Sequence, residues 1–468
     1  MNYDFLYEGA SDRVVRAGLI GVGEFGHSLI GQSLLMDQLE VRALADRDMD
    51  RAAAVLAALG IKGEDVRLTD SVSSATAALE AGKYVVVPDG ALLADLPIDV
   101  VVEATGSPEG GAANALAAIS AGKHVAMVSK EADSVVGPIL AKHARQAGVI
   151  CTPIEGDQPG LLIGLLSYVR LIGLPVVAAG KSSEYDFVWH PDTGTVSWLD
   201  ETIAAPGLAA CWDIGDRNIS EVMATRDALL SELPQQRAPD INEMLLVANH
   251  TGLKPDTPHF HRPIARTIEV PSILCPNEDG GLLSDVSPRG PGRLDVFNCL
   301  RRADEASFAG GVYVVVDGGH DPETWRVLAE KGHPVSRCGR YGLVYNPQHL
   351  LGIEATVSIL SAGLLGRSTG AAGPRPVLDM IAVAGQNLTA GTALVMDRRH
   401  NIIGVEAEMI DAGPIAEDGA LPYYMVAGNV LTRDVSAGDR ITRSMILSPE
   451  GSILWRLRAE QDASFFAA

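Results

Sequence analysis

Positive charge is scarce in this chain. Its 468 residues include 37 Lys and Arg against 59 Asp and Glu, which gives a formal net charge of −22. A surface this acidic repels nucleic-acid phosphates and anionic lipid headgroups. We therefore expect neither nucleic acid nor a membrane as a partner, while a local basic pocket for a small molecule stays compatible with the total.

Paired cysteines and long uninterrupted apolar runs are also missing. The five cysteines contain no Cys-x-x-Cys pair, which argues against a zinc ribbon or a disulfide framework and favours free thiols in a reducing cytosol: Cys151, Cys211, Cys275, Cys299 and Cys338. The longest apolar stretch, residues 160–180, contains Arg170 and Pro175, which favours a core helix and a strand over a membrane span. The N-terminus lacks the pattern of a signal peptide, so a cytoplasmic protein is expected.

The most informative segment runs from Val14 to Asp46. An apolar run predicts a buried strand and is followed by a G-x-G-x-x-G turn, a helix, a second strand and an acidic residue, in the order that binds dinucleotides. The first glycine allows the tight turn, the second admits a pyrophosphate, and the third lets the helix pack closely on the strand. The predicted cofactor-binding residues at this turn and helix start are Gly21, Gly23, Glu24, Phe25 and Gly26.

The choice between NAD and NADP depends on the end of the second strand. Asp46 can accept from the ribose hydroxyls and repels a 2′-phosphate, which favours NAD. Arg47 and Arg51 could receive that phosphate, so NADP stays open. Arg47 is included among the cofactor-binding candidates.

Strands alternate with helices through the first third of the chain. This alternation predicts an α/β protein with a doubly wound, Rossmann-type parallel sheet in residues 1–155. Residues 156–370 are expected to form an α+β catalytic and dimerisation domain, with irregular loops from 187 to 291. Residues 371–468 are expected to form a small β-rich module, in which Ala-Gly turns recur at 390–391 and 437–438.

Four segments carry a resemblance to a known family. Besides the glycine turn they are DVVVEATGSPE (99–109), GKHVAMVSK (122–130) and IEGDQPG (154–160), which together resemble the homoserine dehydrogenase superfamily. The later segments GVYVVV (311–316) and GRYGLVYNPQHLLGIE (339–354) are similar to a branch that carries a C-terminal SAF module. That branch includes the deoxyxylulose phosphate reductoisomerase-like (DRL) enzymes.

The resemblance implies a nicotinamide-dependent oxidoreductase, whose loop Thr105–Gly106 would touch the cofactor. Basic residues typical of the branch are replaced here by Glu184, Pro239 and Asn346, so a phosphosugar substrate is disfavoured. The loss at position 239 also removes a helix lysine typical of homoserine dehydrogenases.

Hydride transfer to a carbonyl needs a proton donor and groups that stabilise the developing alkoxide. Lys130 and Lys181 each follow or end a predicted strand, where the sites of such sheets gather, and we expect both to hold the substrate oxygen. Glu155 and Asp157 could assist a lysine, relay a proton or simply satisfy a turn. They could also bind a divalent ion, but no metal site is predicted.

Further predicted contacts to substrate come from the second domain. Ser183 and Tyr185 supply hydroxyl groups, and Arg340 and His349 lie in the family-like segment 339–354. Glu131 and Asp133 are expected in a polar turn, where they could cap the next helix. The histidines at 250, 259, 261, 320 and 349 match no compact zinc motif.

Together these features predict NAD(P)-dependent hydride transfer between nicotinamide and a small polar hydroxy or oxo compound, in a homodimer or larger homo-oligomer. Hydride would pass in a cleft between the first two domains. Three alternatives remain open: reductoisomerisation of 1-deoxy-D-xylulose 5-phosphate, homoserine dehydrogenase activity, and a non-catalytic nucleotide-binding scaffold.

Overall fold

The computed structural model describes residues 2–10, 12–235, 237–284 and 290–467. Its contacts divide the chain into two compact units. The first contains Met1–Gly160, Leu350–Ala407 and Asp411–Ala468, and the second contains Leu161–His349 and Glu408–Ile410. The C-terminal segment is thus grouped mostly with the nucleotide domain, while the three-domain division stays a prediction.

The first unit is built on a seven-stranded sheet whose order is β3-β4-β2-β1-β5-β6-β7, with every neighbouring pair parallel. The predicted Rossmann-type α/β fold is confirmed. The elements of this part are α1 (Tyr3–Tyr7), β1 (Val15–Ile20), α2 (Glu24–Ser33), β2 (Leu39–Ala45), α3 (Met49–Ala58), β3 (Val66–Leu68), α4 (Val72–Glu80), β4 (Tyr84–Val87), β5 (Val100–Glu103), α5 (Pro108–Ser120), β6 (His124–Met127), α6 (Lys130–Ala147) and β7 (Cys151–Pro153).

Strand order reverses beside β1, which pairs with β2 on one side and with β5 on the other. Ligands of such sheets bind at the carboxyl edge of this switch point. The core below it is fully apolar, with Leu19, Val41 and Val102 at or below 1% exposure. The sheet therefore places the glycine turn after β1 and the loop after β5 side by side.

One local prediction in this unit was wrong. Residues 131–134 do not form a polar turn, because α6 already begins at Lys130. Glu131 and Asp133 lie in its first turn, where acidic groups interact favourably with the helix dipole. Helix α6 is therefore longer than expected and brings two buried carboxyl groups close to the sheet edge.

The second unit contains a mixed sheet with the order β11-β10-β9-β14-β8-β15-β16, and two short strands, β12 and β13, also pair with β14. Its elements are α7 (Gln158–Leu171), β8 (Val176–Ser182), β9 (Phe187–His190), β10 (Thr195–Trp198), β11 (Glu201–Ala204), α8 (Ile219–Leu229), α9 (Ala238–Thr251), β12 (Lys254–Pro255), β13 (Ile264–Ala265), α10 (Val270–Ile273), β14 (Arg293–Arg302), β15 (Val312–Asp317), α11 (Pro322–Glu330) and β16 (Tyr341–Asn346).

The region from 187 to 291 is more regular than expected. It contributes the antiparallel ribbon β9–β10–β11 and two helices of more than ten residues, α8 and α9. The sheet packs around an aromatic group in which the ring of Phe297 lies 5.5 Å from those of Phe308 and Tyr313. Such offset and edge-on pairs stabilise a core beyond the area they bury.

The chain then returns to the first unit with α12 (Ala355–Leu365), β17 (Leu378–Ala384), β18 (Val405–Asp411), α13 (Tyr423–Val426) and α14 (Ile453–Phe465). Helix α14 was not expected among the predicted short strands and turns. The two Ala-Gly turns lie beside each other, since Asn387 accepts from the N–H of Ala437 and Asp434 accepts from the N–H of Ala390. The sequence repeat thus corresponds to a reciprocal structural pair.

Helix α14 joins the C-terminal segment to the Rossmann helices. Glu109 of α5 accepts from the N–H of Ile453 at 2.7 Å, and Gln461 exchanges hydrogen bonds with the backbone of α6 at Val135 and Ile139. Arg458 is 1% exposed and donates through both Nη atoms to Asp379 of β17, at 2.6 and 2.7 Å. Among the described residues, no helix is both long enough and apolar enough to cross a bilayer.

Replacing Arg458 should destabilise the first unit. In Arg458→Ala the carboxylate of Asp379 stays buried without its cation, which costs about 3–5 kcal/mol of unfolding free energy. Urea denaturation followed by circular dichroism measures the loss. The matched control is Arg326→Ala, which removes an exposed arginine paired with Glu323 and should change little; equal effects of the two variants would contradict the assignment.

Candidate functional site

The glycine turn after β1 has the geometry that the spacing predicts. Gly21 has φ +91°, and a Cβ there would collide with the carbonyl of Ala104. A Cβ on Gly26 would lie 2.7 Å from the carbonyl oxygen of Gly21, so α2 can approach β1 only through a glycine. Gly23 faces open space and precedes α2 without a side-chain cap. The helix start is therefore bare on the side from which a pyrophosphate would approach.

Glu24 and Phe25 begin α2, with Glu24 exposed and Phe25 half-buried. The turn Leu351–Ile353, near the end of the family-like segment 339–354, lies close to them. The N–H of Gly352 donates to the hydroxyl of Ser28 at 3.0 Å, and a Cβ on Gly352 would collide with the carbonyl of Phe25. Sequence reasoning missed this neighbour of the nucleotide helix, because more than 300 residues separate the two segments.

Asp46 directly follows β2 and is 9% exposed. Its carboxylate accepts from the N–H of Val22 and of Asp48 at 2.9 Å and from Arg51 at 2.6 Å. Burial acts to raise the pKa of Asp46, but these hydrogen bonds outweigh it and the pKa is lowered. Arg51 thus lies at the predicted ribose site, and Arg47 next to it is exposed.

The loop after β5 rests on a buried carboxyl group. Oε1 of Glu103, which is fully buried, accepts from the hydroxyl of Thr105 at 2.6 Å and from Asn114 at 3.3 Å. The N–H of Gly106 donates to Ser129 at 2.8 Å, and Gly106 has φ +65°. Burial raises the pKa of Glu103 despite these donors. Glu103 and Ser129 were not singled out from the sequence, yet they hold the predicted cofactor loop.

The structure brings together Lys130 and Asp157, two of the predicted catalytic residues. Nζ of Lys130 lies 3.0 Å from Oδ1 of Asp157, and the lysine side chain keeps 21% of its surface exposed. Glu155 lies elsewhere, near Glu354, and burial followed by that neighbouring charge raises the pKa of Glu155 to about 7. Burial also raises the pKa of Asp133 to about 7.

A histidine from the C-terminal segment joins this edge. Nδ1 of His400 lies 2.5 Å from Oε1 of Glu131, and the imidazole ring covers Gly106. Sequence reasoning considered five other histidines and missed this one, because a single His in the loop after residue 395 has no local pattern that indicates a site.

In the second unit, Lys181 is enclosed by acidic groups. It is 1% exposed, its Nζ lies 2.7 Å from Asp240, and it also pairs with Glu243. Burial alone would lower the pKa of Lys181, but the two carboxylates raise it above its usual value. The ammonium is therefore a fixed cation at neutral pH and does not exchange protons readily.

The other predicted substrate contacts of this unit lie in two groups. Ser183 donates to Asn298 at 2.8 Å and belongs to the cluster around Lys181. Tyr185 is exposed and meets Trp198 edge-on at 6.0 Å, while the guanidinium of Arg237 lies 4.4 Å from the Trp198 ring. Arg237 is a basic residue that sequence reasoning missed, two positions before the departure at Pro239.

Arg340 pairs with acidic groups other than those that surround Lys181. Arg340 forms a bidentate pair with Asp317 at 2.8 and 3.0 Å, which raises the pKa of the arginine, and it contacts Asp279 at 3.4 Å. His349 is half-buried in the segment after β16. Within the part of the chain that the structure describes, no three His, Cys, Asp or Glu side chains form a group suited to a metal ion.

Two family models match parts of this chain. Residues 21–152 match the model of the homoserine dehydrogenase NAD binding domain, and residues 239–355 match that of the oxidoreductase DRL catalytic domain. The predicted resemblance to both families is confirmed. No curated protein sequence matches the chain significantly.

Solved structures show weaker likenesses. A probable dehydrogenase from Thermotoga maritima has 16% identity over 46% of this chain and 55% of that one, with a TM-score of 0.27. A DOX-P reductoisomerase in complex with magnesium has 16% identity over 50% and 57%, with a TM-score of 0.29. A myo-inositol dehydrogenase from Lactobacillus casei in complex with NAD(H) and myo-inositol has 20% identity over 48% and 59%, with a TM-score of 0.26. The chain thus spans just over half of each, and likenesses this weak carry no functional weight.

Removing the carboxyl group below the cofactor loop should weaken nucleotide binding. Glu103→Ala leaves the hydroxyl of Thr105 and the amide of Asn114 without their acceptor, and we expect the Kd for NAD⁺ or NADP⁺ to rise about tenfold, or ~1.4 kcal/mol. Isothermal titration calorimetry measures the change. Asp99→Ala, just before the amino end of the same strand, is the control, and an unchanged Kd in Glu103→Ala would contradict the role of this group.

Proposed function

We propose that this protein transfers hydride between a nicotinamide nucleotide and a small polar hydroxy or oxo compound. The observation that carries the proposal is the edge of the parallel sheet, where a bare helix start, the Asp46 carboxylate and the Gly106 loop lie together. The matches to an NAD-binding domain and to an oxidoreductase catalytic domain support it.

The residues at this edge fit a dinucleotide. Gly23 leaves room where the pyrophosphate would approach the N-terminus of α2, and the carboxylate of Asp46 closes the neighbouring strand. We propose NAD as the preferred cofactor, because a buried carboxylate at this position repels a 2′-phosphate. Arg51 and the exposed Arg47 favour NADP as the second choice. When bound, the nicotinamide ring accepts or delivers the hydride.

We further propose that Lys130 holds the substrate oxygen. Its pairing with Asp157 orients the side chain, which keeps 21% of its surface exposed. An ammonium within hydrogen-bond distance of a carbonyl stabilises the negative charge that develops on the oxygen. Glu155, which lies near Glu354 rather than at this pair, keeps a proposed role only as a proton-accepting group of the same unit.

Lys181 has a different proposed role. As a buried cation between Asp240 and Glu243, it positions these carboxylates and the hydroxyl of Ser183. The carboxyl groups of Asp240 and Glu243 and the hydroxyl of Ser183 are polar groups that suit a substrate rich in hydroxyl groups. Tyr185 and Arg237 are the second unit's proposed groups for further polar contacts.

Reductoisomerisation of deoxyxylulose phosphate is the second candidate. The match of residues 239–355 to the DRL catalytic domain favours it. Inhibition by fosmidomycin and dependence on a divalent ion would support this reaction, and indifference to both would remove it.

We also propose that residues 371–468 form a SAF-like module. The reciprocal hydrogen bonds of Asn387 and Asp434 across the two Ala-Gly turns support this assignment.

Thermal-shift screening tests the main proposal directly. The protein is combined with NAD⁺ or NADP⁺ and a library of polyols and hydroxy acids, and stabilised combinations are assayed by absorbance at the nicotinamide band. Stabilisation by a nucleotide followed by turnover supports the proposal. Tight nucleotide binding with no turnover on the whole library would favour a non-catalytic scaffold instead.

Substitution of Asp46 should change the cofactor preference. In Asp46→Asn the negative charge at the ribose site is lost, so the Kd for NAD⁺ should rise about tenfold relative to that for NADP⁺. Titration calorimetry with both nucleotides measures the ratio. Asp48→Asn is the control, since Asn caps α3 as well as Asp does, and an unchanged ratio in Asp46→Asn would place the ribose elsewhere.

The two lysines should respond differently to removal of their charge. Lys130→Met should lower kcat by a factor of about 10²–10⁴ on the substrate that the screen identifies, with little change in stability. Lys181→Met leaves two buried carboxylates without their cation and should cost about 3–5 kcal/mol of unfolding free energy.

Urea denaturation and steady-state kinetics of both variants separate the two roles. Full turnover in Lys130→Met, or wild-type stability in Lys181→Met, would show that the corresponding lysine has been assigned wrongly.

A further inference from the structure

His400 is held in an unusual backbone conformation in the loop before β18. Its φ is +61°, in the left-handed region that non-glycine residues rarely adopt. Two hydrogen bonds hold the backbone of His400 in this conformation. The N–H of His400 donates to the carbonyl of Asp397 at 3.1 Å, and the hydroxyl of Tyr424 donates to the carbonyl of His400 at 3.1 Å. The surrounding structure thus overcomes a local strain to aim this side chain.

The ring is oriented by a buried carboxylate. Glu131 is 3% exposed in the first turn of α6, and its Oε1 lies 2.5 Å from Nδ1 of His400. A carboxylate accepts only, so Nδ1 carries the hydrogen of this bond and, in the neutral ring, Nε2 keeps its lone pair. Within the described part of the chain Nε2 has no hydrogen-bond partner, and the side chain is 36% exposed.

The ring also lies on the cofactor loop. A Cβ on Gly106 would collide with Cε1 of His400 and would lie 3.2 Å from Nε2, so only glycine leaves room for the imidazole. The same loop adjoins the glycine turn, because Ala104 occupies the space that a side chain on Gly21 would need. His400 therefore reaches the carboxyl edge at the switch point beside β1 and β5, where such sheets bind their ligands.

We propose that His400 is the general acid–base of the hydride transfer, and this inference rests on the proposed function. In the oxidation direction the O–H bond of the substrate breaks and its proton passes to Nε2, the C–H bond breaks with its electron pair moving as hydride to the nicotinamide, and the C=O bond forms. The proton then leaves Nε2 for solvent. In reduction the imidazolium returns the proton to the oxygen, and Glu131 keeps the ring in the required tautomer in both directions.

Three charged groups act on this imidazole. Glu131 hydrogen-bonds to it and raises its pKa, burial and Lys130 lower the pKa, and Asp397 raises it; the net effect is a pKa above 6.5. In this proposal the ammonium of Lys130 binds the substrate oxygen, and the imidazole of His400 accepts or returns the substrate proton.

Cofactor binding gives a test that needs no substrate. The oxidised nicotinamide ring is positively charged and should expel the proton from a neighbouring imidazolium, whereas the neutral reduced ring should not. Titration calorimetry with NAD⁺ and with NADH at pH 6.5, in phosphate and in Bis-Tris, yields the protons released from the difference between buffers. We expect NAD⁺ binding to release a measurable fraction of a proton and NADH binding to release almost none.

The variants separate catalysis from structure. His400→Asn should bind NAD⁺ without releasing a proton, and Glu131→Gln should reduce the release by lowering the imidazole pKa. His143→Asn is the matched control, since His143 is also paired with a glutamate, Glu460 at 2.9 Å, and should behave as the wild type. Thermal denaturation of each variant verifies that it is folded.

Each outcome decides between the two proposals. Proton release in the wild type that is lost in His400→Asn alone supports the inference. NAD⁺ binding without proton release, or with release that persists in His400→Asn, overturns the role of His400 and leaves the proposed function standing. Failure of the wild type to bind NAD⁺, NADH, NADP⁺ or NADPH, seen also as no thermal stabilisation, overturns both.

Discussion

The carbonyl of Ala104 occupies the space that any side chain at position 21 would need. This close approach brings the turn after β1 against the loop after β5, and the rest of the nucleotide edge depends on it. Gly26 allows α2 to pack closely against β1. Glu103 accepts a hydrogen bond from Thr105 and so stabilises the loop after β5. The edge is thus shaped largely by the close approach of backbone segments.

The C-terminal segment completes this edge. Arg458 ties α14 to β17, Gln461 ties α14 to α6, and the loop before β18 brings His400 onto Gly106. A buried ion pair need not increase net stability, but it favours the pairing of the two elements that carry its charges. Its consequence here is that a module distant in sequence supplies a side chain to the nucleotide edge.

The two predicted catalytic lysines, one in each unit, have different surroundings. Lys181 is a buried cation with two carboxylate partners, whereas Lys130 in the first unit pairs with Asp157 and keeps part of its surface exposed. The sequence placed both lysines at strand ends and suggested the same role for both. Only the folded structure shows that one lysine is fully buried between two carboxyl groups while the other is partly exposed.

The parallel sheet, the glycine turn and Asp46 could be predicted from sequence because their signals are local: apolar runs of strand length, three glycines and an acid at fixed offsets. Strand β14 escaped prediction because Asp295 and Asn298 are polar yet buried, and their partners, such as the N–H groups of His261 and Arg262, lie far along the chain. Residues 131–134 were expected to form a turn but form the first turn of α6. Acidic residues are common both in turns and in the first turn of a helix, so the sequence did not distinguish the two structures. The contact between His400 and Glu131 spans 269 residues, and only the folded chain decides which distant groups become neighbours.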